Sequence, residues 1–367
     1  MSAPGPKSKG LPPRYEAFLR RAIAERIPLN GSIALTHRCN LRCIHCYLGG
    51  ERAGVPGGTG ESDTRFWLDV VDQIADAGCL SLLITGGEPL VRDDFAEIYR
   101  HVIRRGILTT VFTNATRIDE ATLEVFCQLP PQLVEITLYG ASEEVFDRVT
   151  GVPGSYRRCL AGVDALGRAR VRIGLKSMIM LENRHEIPAM REMARERGAS
   201  FRVDAALVPR RDGHAGPLEQ RIPPAEAIAI EMQDEELRRR GAEYFRRMRE
   251  TGPTDRLFSC QAGRTGFHVD PAGTLSPCLM VTSHGHDLHK ERFLAAWRDS
   301  MPQFLDQPVP QGYECHRCDK RFICGTCPAQ AQMETGSLYE KPEYACMLAD
   351  ARCRALLDSV APHAEGD

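Results

Sequence analysis

The sequence predicts an α/β protein, a partial (β/α)6 TIM-like barrel followed by a small cysteine-rich C-terminal domain. Three observations predict it. Six apolar runs alternate with amphipathic stretches between residues 31 and 208, the rhythm breaks at 209, and seven of the fourteen cysteines fall between 260 and 346. Near-continuous apolar strands bounded by helices imply a parallel sheet covered on at least one face. Six units are too few to close an eight-stranded barrel, and chemistry in such folds sits at the C-terminal ends of the strands.

The elements follow in order. SIALT (32–36) reads as a strand, and SDTRFWLDVVDQIADAG (62–78) as a helix with Ser62 as N-cap and Gly78 near its stop. LSLLIT (80–85) is a strand, DDFAEIYRHVIRRG (93–106) a helix, ILTTVFTN (107–114) a strand and DEATLEVFCQL (119–129) a helix. LVEITLYG (133–140) is a strand, followed by helical material that includes 155–169. VRIGLKSMIML (171–181) is a strand, 184–198 a helix and SFRVDAALV (200–208) a strand. A charged stretch over 224–250 reads as one helical connector. The expected organisation is therefore a tail and helix over 1–30, the barrel over 31–208, the connector over 209–258, the cysteine-rich domain over 259–353 and a tail over 354–367.

With 43% hydrophobic and 26% charged residues the chain reads as an ordinary globular protein. A formal net charge of −2 gives no global field for nucleic acid or an acidic membrane. No apolar run approaches the roughly 18–20 residues that span a bilayer. The N-terminal MSAPGPKSKGLPP lacks the apolar core of a secretory signal and reads as a short flexible tail. The expectation is a cytoplasmic protein whose cysteines bind metal rather than form disulfides.

The loop after the first strand, HRCNLRCIHCYLGG (37–50), places Cys39, Cys43 and Cys46 in a C-x3-C-x2-C spacing. Three thiolates in one tight loop can converge on a soft metal centre. On a cluster of four irons they leave one iron open to a small molecule. A zinc site completed by His37 or His45 is the competing reading. GGEP at 86–89, directly after the second strand, offers glycines that let backbone groups approach a ligand closely.

Together these motifs resemble the radical SAM superfamily over roughly 31–208. The resemblance implies a [4Fe–4S] cluster on Cys39, Cys43 and Cys46. Its open iron chelates S-adenosylmethionine (SAM), which the reduced cluster cleaves to methionine and a 5′-deoxyadenosyl radical. It further implies that Tyr47 packs near the adenine and that Gly86, Gly87 and Glu88 contact the amino end of SAM. Thr113 and Asn114 at the end of the third strand are further candidate contacts. Arg148 is the candidate partner of the SAM carboxylate, since arginine suits bidentate pairing; a solvated helix residue is the alternative.

In the C-terminal region Cys260, Gly273 and Cys278 are followed by Cys315-x2-Cys318-x5-Cys324-x2-Cys327 and by Cys346. Paired C-x2-C units are also a zinc-ribbon spacing. Downstream of a radical SAM core the layout resembles the SPASM extension, departing from it in one place: two residues rather than three separate Cys324 and Cys327. The resemblance implies two auxiliary [4Fe–4S] clusters, hence three in all. Cys260, Cys278 and Cys327 would hold the first, and Cys315, Cys318, Cys324 and Cys346 the second. Cys353 is a candidate fourth ligand of the first, against the simpler reading of a helix-face cysteine. Cys79, Cys127 and Cys159 receive no function. His284, His286 and His289 are either ligands or a solvated loop, and the loop is preferred.

Many SPASM proteins modify peptides. The leading expectation is a maturase that oxidatively installs a thioether or carbon–carbon crosslink in a ribosomally made precursor peptide, fed by an external electron donor. About 30 residues precede the first strand, so leader recognition is expected from a separate small leader-binding protein or from residues 209–258. A formylglycine-forming sulfatase maturase is disfavoured by Leu279 following Cys278, where the resemblance calls for an acidic residue. A porphyrin-modifying enzyme, a peptide epimerase, an iron–sulfur electron carrier and a zinc-stabilised binding module remain as alternatives.

Overall fold

The computed structural model describes residues 12–49, 60–249, 256–258, 260–325 and 327–358. The expected N-terminal tail lies outside the described residues up to position 11. Of the expected C-terminal tail only 354–358 is described, as the end of a helix.

Six strands follow one another in parallel: β1 (Asn30–Ala34), β2 (Ser81–Thr85), β3 (Leu108–Thr113), β4 (Leu133–Thr137), β5 (Ile173–Met178) and β6 (Ser200–Asp204). A helix, α1 (Pro13–Ala24), precedes them. Between them run α2 (Thr64–Asp76), α3 (Phe95–Arg104), α4 (Glu120–Gln128), the pair α5 (Glu143–Thr150) and α6 (Ser155–Arg168), and α7 (Ile187–Glu196). The helices and strands expected between 31 and 204 are thus present, and the sheet does not close. One detail differs: α2 is capped by Asp63, whose carboxylate accepts from the Phe66 amide at 2.8 Å, and not by Ser62. Ser62 is drawn away to His289 Nε2, 3.0 Å from its hydroxyl.

Strand residues such as Ile33, Ile84, Val111, Ile136 and Leu175 pack with Trp67, Ile74, Tyr99, Phe126 and Leu166 of the helices in one continuous core. Alternation along each strand sends the intervening residues to the opposite face. There the polar and charged groups of the barrel lumen gather.

The C-terminal residues extend this same sheet. β7 (Gly266–Val269) pairs in parallel with β1 on the side away from β2. β8 (Thr274–Ser276) and β9 (His286–Asp287) add on antiparallel, giving nine strands in the order β6-β5-β4-β3-β2-β1-β7-β8-β9. α10 (Phe293–Leu305) lays Phe293, Trp297 and Met301 into the main core. The Trp297 indole donates to the Arg26 carbonyl at 2.6 Å, tying the end of α1 to this region. A second, smaller core of Leu257, Phe258, Val281, Phe304, Leu305, Tyr313 and Ala329 lies next to the C-terminal cysteines.

The connector is two helices rather than one, α8 (Pro224–Glu231) and α9 (Glu235–Arg249). Asp234 interrupts it, because its carboxylate accepts from the Leu237 amide at 2.9 Å and so caps a new helix. After α11 (Pro328–Thr335), the last helix, α12 (Glu343–Asp358), packs on α8, where the Arg352 guanidinium grips buried Glu231 through both carboxylate oxygens.

The β1–β7 junction depends on a missing side chain. A Cβ at Gly31 would lie 2.1 Å from the Phe267 ring, itself buried. Gly31→Ala is expected to destabilise the protein by about 1–3 kcal/mol in chemical denaturation. Adding Phe267→Leu should recover part of that loss; an unchanged midpoint for Gly31→Ala would contradict this packing.

Candidate active site

The loop that carries Cys39, Cys43 and Cys46 leaves the C-terminal end of β1 but continues to pair with the chain leaving β2. Leu35 N donates to Thr85 O at 2.9 Å, Gly87 N to Thr36 O at 2.7 Å and Glu88 N to Arg38 O at 2.9 Å. Space for this ladder exists because of the two glycines. A Cβ at Gly86 would meet Thr36 O at 2.6 Å, and one at Gly87 would meet Arg38 O at 2.4 Å. Gly86 also has φ of +155°. The backbone that approaches these glycines so closely is therefore the protein's own entry to the cysteine loop. Glu61 secures the same segment, accepting from the Thr36 hydroxyl, from His37 N at 3.1 Å and from Arg38 Nε at 3.2 Å.

A cavity of about 200 Å³ opens at these strand ends. Its walls carry the three cysteines, Tyr47, Gly86, Gly87, Thr113 and Asn114, together with His45, Thr85, Phe112, Thr137, Tyr139 and Lys176. Two N–H groups face the Cys39 sulfur, Leu41 N at 3.4 Å and Asn114 Nδ2 at 3.9 Å. Such donors favour the thiolate form that an iron cluster needs. Tyr139 is partly buried beside all three cysteines, and desolvation together with those sulfurs holds its phenol well above its ordinary pKa. Among the described residues no three Cys, His, Asp or Glu side chains are drawn together around a single ion. Three thiols on one cavity wall are a donor set that suits a soft iron–sulfur centre.

Glu88 and Arg148 are not on the cavity wall. The Glu88 side chain is fully buried beneath it, accepting from Leu90 N at 3.1 Å, the Thr113 hydroxyl at 2.8 Å and Asn114 N at 2.6 Å. It thereby ties the end of β2 to the end of β3, and burial pushes its pKa up to about 7. Arg148 points outward from α5 and is paired with Glu144 and, at 3.1 Å, with Glu182. The carboxylate-binding role expected of it has no support in this position, because those two acids already occupy its guanidinium at a half-exposed surface.

The C-terminal cysteines also gather. Cys260, Cys315, Cys318, Cys324, Cys327 and Cys346 line one cavity of about 310 Å³. Their mutual electrostatic influence divides them. Cys327 feels Cys278 and Cys260, whereas Cys346 feels Cys324, Cys315 and Cys318. Cys353 instead packs against an apolar cluster of Ala242, Phe245, Ile323 and Leu356. Buried Cys79 and Cys159 have thiols pushed up to about 12 by desolvation, which leaves them inert. The three histidines lie in a largely exposed loop, as expected, and each also has a neighbour. His289 stacks on Phe66 at 4.1 Å, His286 faces Glu291 at 3.3 Å and His284 lies against Phe304.

The sequence profile of the Radical SAM superfamily matches residues 33–194, the stretch that carries this cavity. Residues 33–194 form a radical SAM domain. Radical SAM enzymes bind a [4Fe–4S] cluster and SAM. Over 333 residues the chain is 29% identical to the AdoMet-dependent heme synthase of Methanosarcina barkeri, covering 84% of this chain and 94% of that protein. It is 27% identical to the PqqA peptide cyclase of Granulibacter bethesdensis, with 88% of each chain covered. Its fold is that of Streptococcus suis SuiB bound to the precursor peptide SuiA, with a TM-score of 0.69 at 18% identity, covering 94% of this chain and 84% of that one. No helix among the described residues is long and apolar enough to cross a membrane.

Sequence reasoning missed Tyr139, Phe112 and Lys176 of this radical SAM cavity. Each sits in an apolar strand run with no motif of its own, and the one available signal was its lumen-facing parity. Glu88 yields a pH test. Its folded pKa of about 7 lies above the ordinary 4.5, so the folded state holds this proton more tightly. Its contribution to stability is full below about 4.5 and is lost as pH rises through about 7. The stability difference between wild type and Glu88→Gln, from urea midpoints, should therefore shift against the wild type across that window. A pH-independent difference would refute the assignment.

Proposed function

We propose that this radical SAM enzyme oxidatively modifies a ribosomally made peptide, installing a thioether or carbon–carbon crosslink, with three [4Fe–4S] clusters. The observation that carries the reading is the joint placement of Cys39, Cys43 and Cys46 on one cavity with Gly86, Gly87 and Asn114, at the C-terminal ends of the parallel strands. When bound, the cluster on these cysteines supplies the electron that cleaves SAM, and the auxiliary clusters supply an exit for the second electron of the oxidation.

The protein's own residues do the rest. Leu41 N and Asn114 Nδ2 stabilise the Cys39 thiolate. Tyr47 and the Gly86–Gly87 backbone line the space for SAM. Tyr139 and Phe112 wall it with aromatic surface that excludes water. Cys260, Cys278 and Cys327 would hold the first auxiliary cluster, and Cys315, Cys318, Cys324 and Cys346 the second, a division supported by their electrostatic grouping. The peptide reading draws on the likeness to the PqqA peptide cyclase. An external electron donor and a separate leader-binding protein belong to the same proposal. A second reading, modification of a porphyrin, is supported by the likeness to the heme synthase over nearly its whole length.

After anaerobic reconstitution, Cys43→Ala is expected to abolish 5′-deoxyadenosine formation while retaining the iron and the absorbance of the auxiliary clusters. Persisting SAM cleavage would overturn the site. Incubation of the wild type with SAM, dithionite and candidate precursor peptides should yield a peptide lighter by two hydrogens, coupled to 5′-deoxyadenosine. Cleavage of SAM with change only in a porphyrin would select the second reading.

A further inference from the structure

Four neighbouring strands present one connected group on the lumen face of the sheet: Phe112 on β3, Glu135 on β4, Lys176 on β5 and Arg202 on β6. Phe112 is the register partner of Glu135, and Lys176 of Arg202. Arg202 donates Nε and Nη2 to the two Glu135 oxygens, each at 2.7 Å. Lys176 Nζ donates to Oε2 of the same carboxylate at 3.0 Å and lies over the Phe112 ring, 3.1 Å from its centre. One carboxylate thus serves two cations. Asp204 acts on Arg202 electrostatically from an exposed position and does not reach the cavity wall.

The Lys176 side chain is 18% exposed, and it lines the cavity that holds the three cysteines. Among the described residues on that wall it is the one lysine or arginine, and no aspartate or glutamate lines the wall with it, Glu135 lying behind it. Burial pushes its pKa down to about 8 while Glu135 opposes the shift, so the ammonium stays charged at neutral pH. A buried cation with a shared counter-ion is costly until another anion completes it. An ammonium has three donors. Glu135 takes one, the Phe112 face accepts no conventional hydrogen bond, and donor capacity is left for a ligand.

We propose that Lys176 forms a carboxylate-binding subsite that recognises an acidic group of the substrate, either an acidic side chain of a peptide or a propionate of a porphyrin. Glu135 and Arg202 act as positioning residues for it. The inference deepens the radical SAM reading above by naming a chemical feature of the substrate.

The test uses reconstituted holoenzyme with SAM, comparing wild type, Lys176→Met and Lys176→Arg by equilibrium binding. The probes are acid and neutral twins: the acetylated, amidated peptide Gly-Ser-Glu-Ser-Gly against its Gln form, and mesoporphyrin IX against its dimethyl ester. The wild type should prefer one acid over its twin by about tenfold or more, as expected of a charge-assisted hydrogen bond. Whichever pair shows the preference identifies the source. Lys176→Met should lose it with SAM affinity unchanged, and Lys176→Arg should keep most of it. No preference in the wild type, or a preference that survives in Lys176→Met, overturns the subsite. So does a tenfold loss of SAM affinity in Lys176→Met, which would assign the cation to SAM itself. Formation of 5′-deoxyadenosine by the wild type is read separately; its absence would sink the proposed function and leave the binding result standing.

Discussion

The cysteine loop has no regular secondary structure, so its position depends on the close approach of residues 36–38 to Gly86 and Gly87. Backbone carbonyls occupy the places where two Cβ atoms would otherwise be. Directly below, the buried Glu88 carboxylate joins the chain after β2 to Thr113 and Asn114 at the end of β3. Asn114 in turn reaches Asn40 at 3.0 Å and the Cys39 sulfur. Three strand ends are therefore coupled through one carboxylate and one amide, and the cavity inherits its shape from them. The geometry accounts for a Gly-Gly-Glu sequence without assigning every one of its residues to a ligand. The glycines make room, and the glutamate is a clamp.

The cysteine-rich region is integrated with the barrel to an extent that its composition does not suggest. β7 joins β1 edge to edge, α10 supplies Phe293 and Trp297 to the main core, and α12 closes on α8 through Arg352 and Glu231. A thin core of its own, next to the C-terminal cysteines, is supplemented by this borrowed one. The proposed auxiliary clusters would then sit in a frame fixed relative to the barrel lumen. That suits an enzyme whose substrate must face two redox centres at once. The lumen-facing cation at Lys176 belongs to the same frame, since its partners come from three neighbouring strands.

Much of this protein was legible in its sequence. The alternation of apolar runs with amphipathic stretches specified six parallel βα units, because burial on both faces of a strand and on one face of a helix leaves different periodicities. The cysteine spacings marked two groups of thiols, because ligands within one loop are close in the chain as well as in space. Tertiary structure alone decided the rest. That Gly31 exists for Phe267, that His289 packs on Phe66, that Arg148 is spent on Glu144 and Glu182 while Lys176 faces the cavity, and that β7 pairs with β1 are all contacts between residues far apart in the chain or between side chains whose direction no local pattern records. A spacing reports which residues can meet within a loop; only the register of the strands and the packing of the helices determine which charges end up buried together.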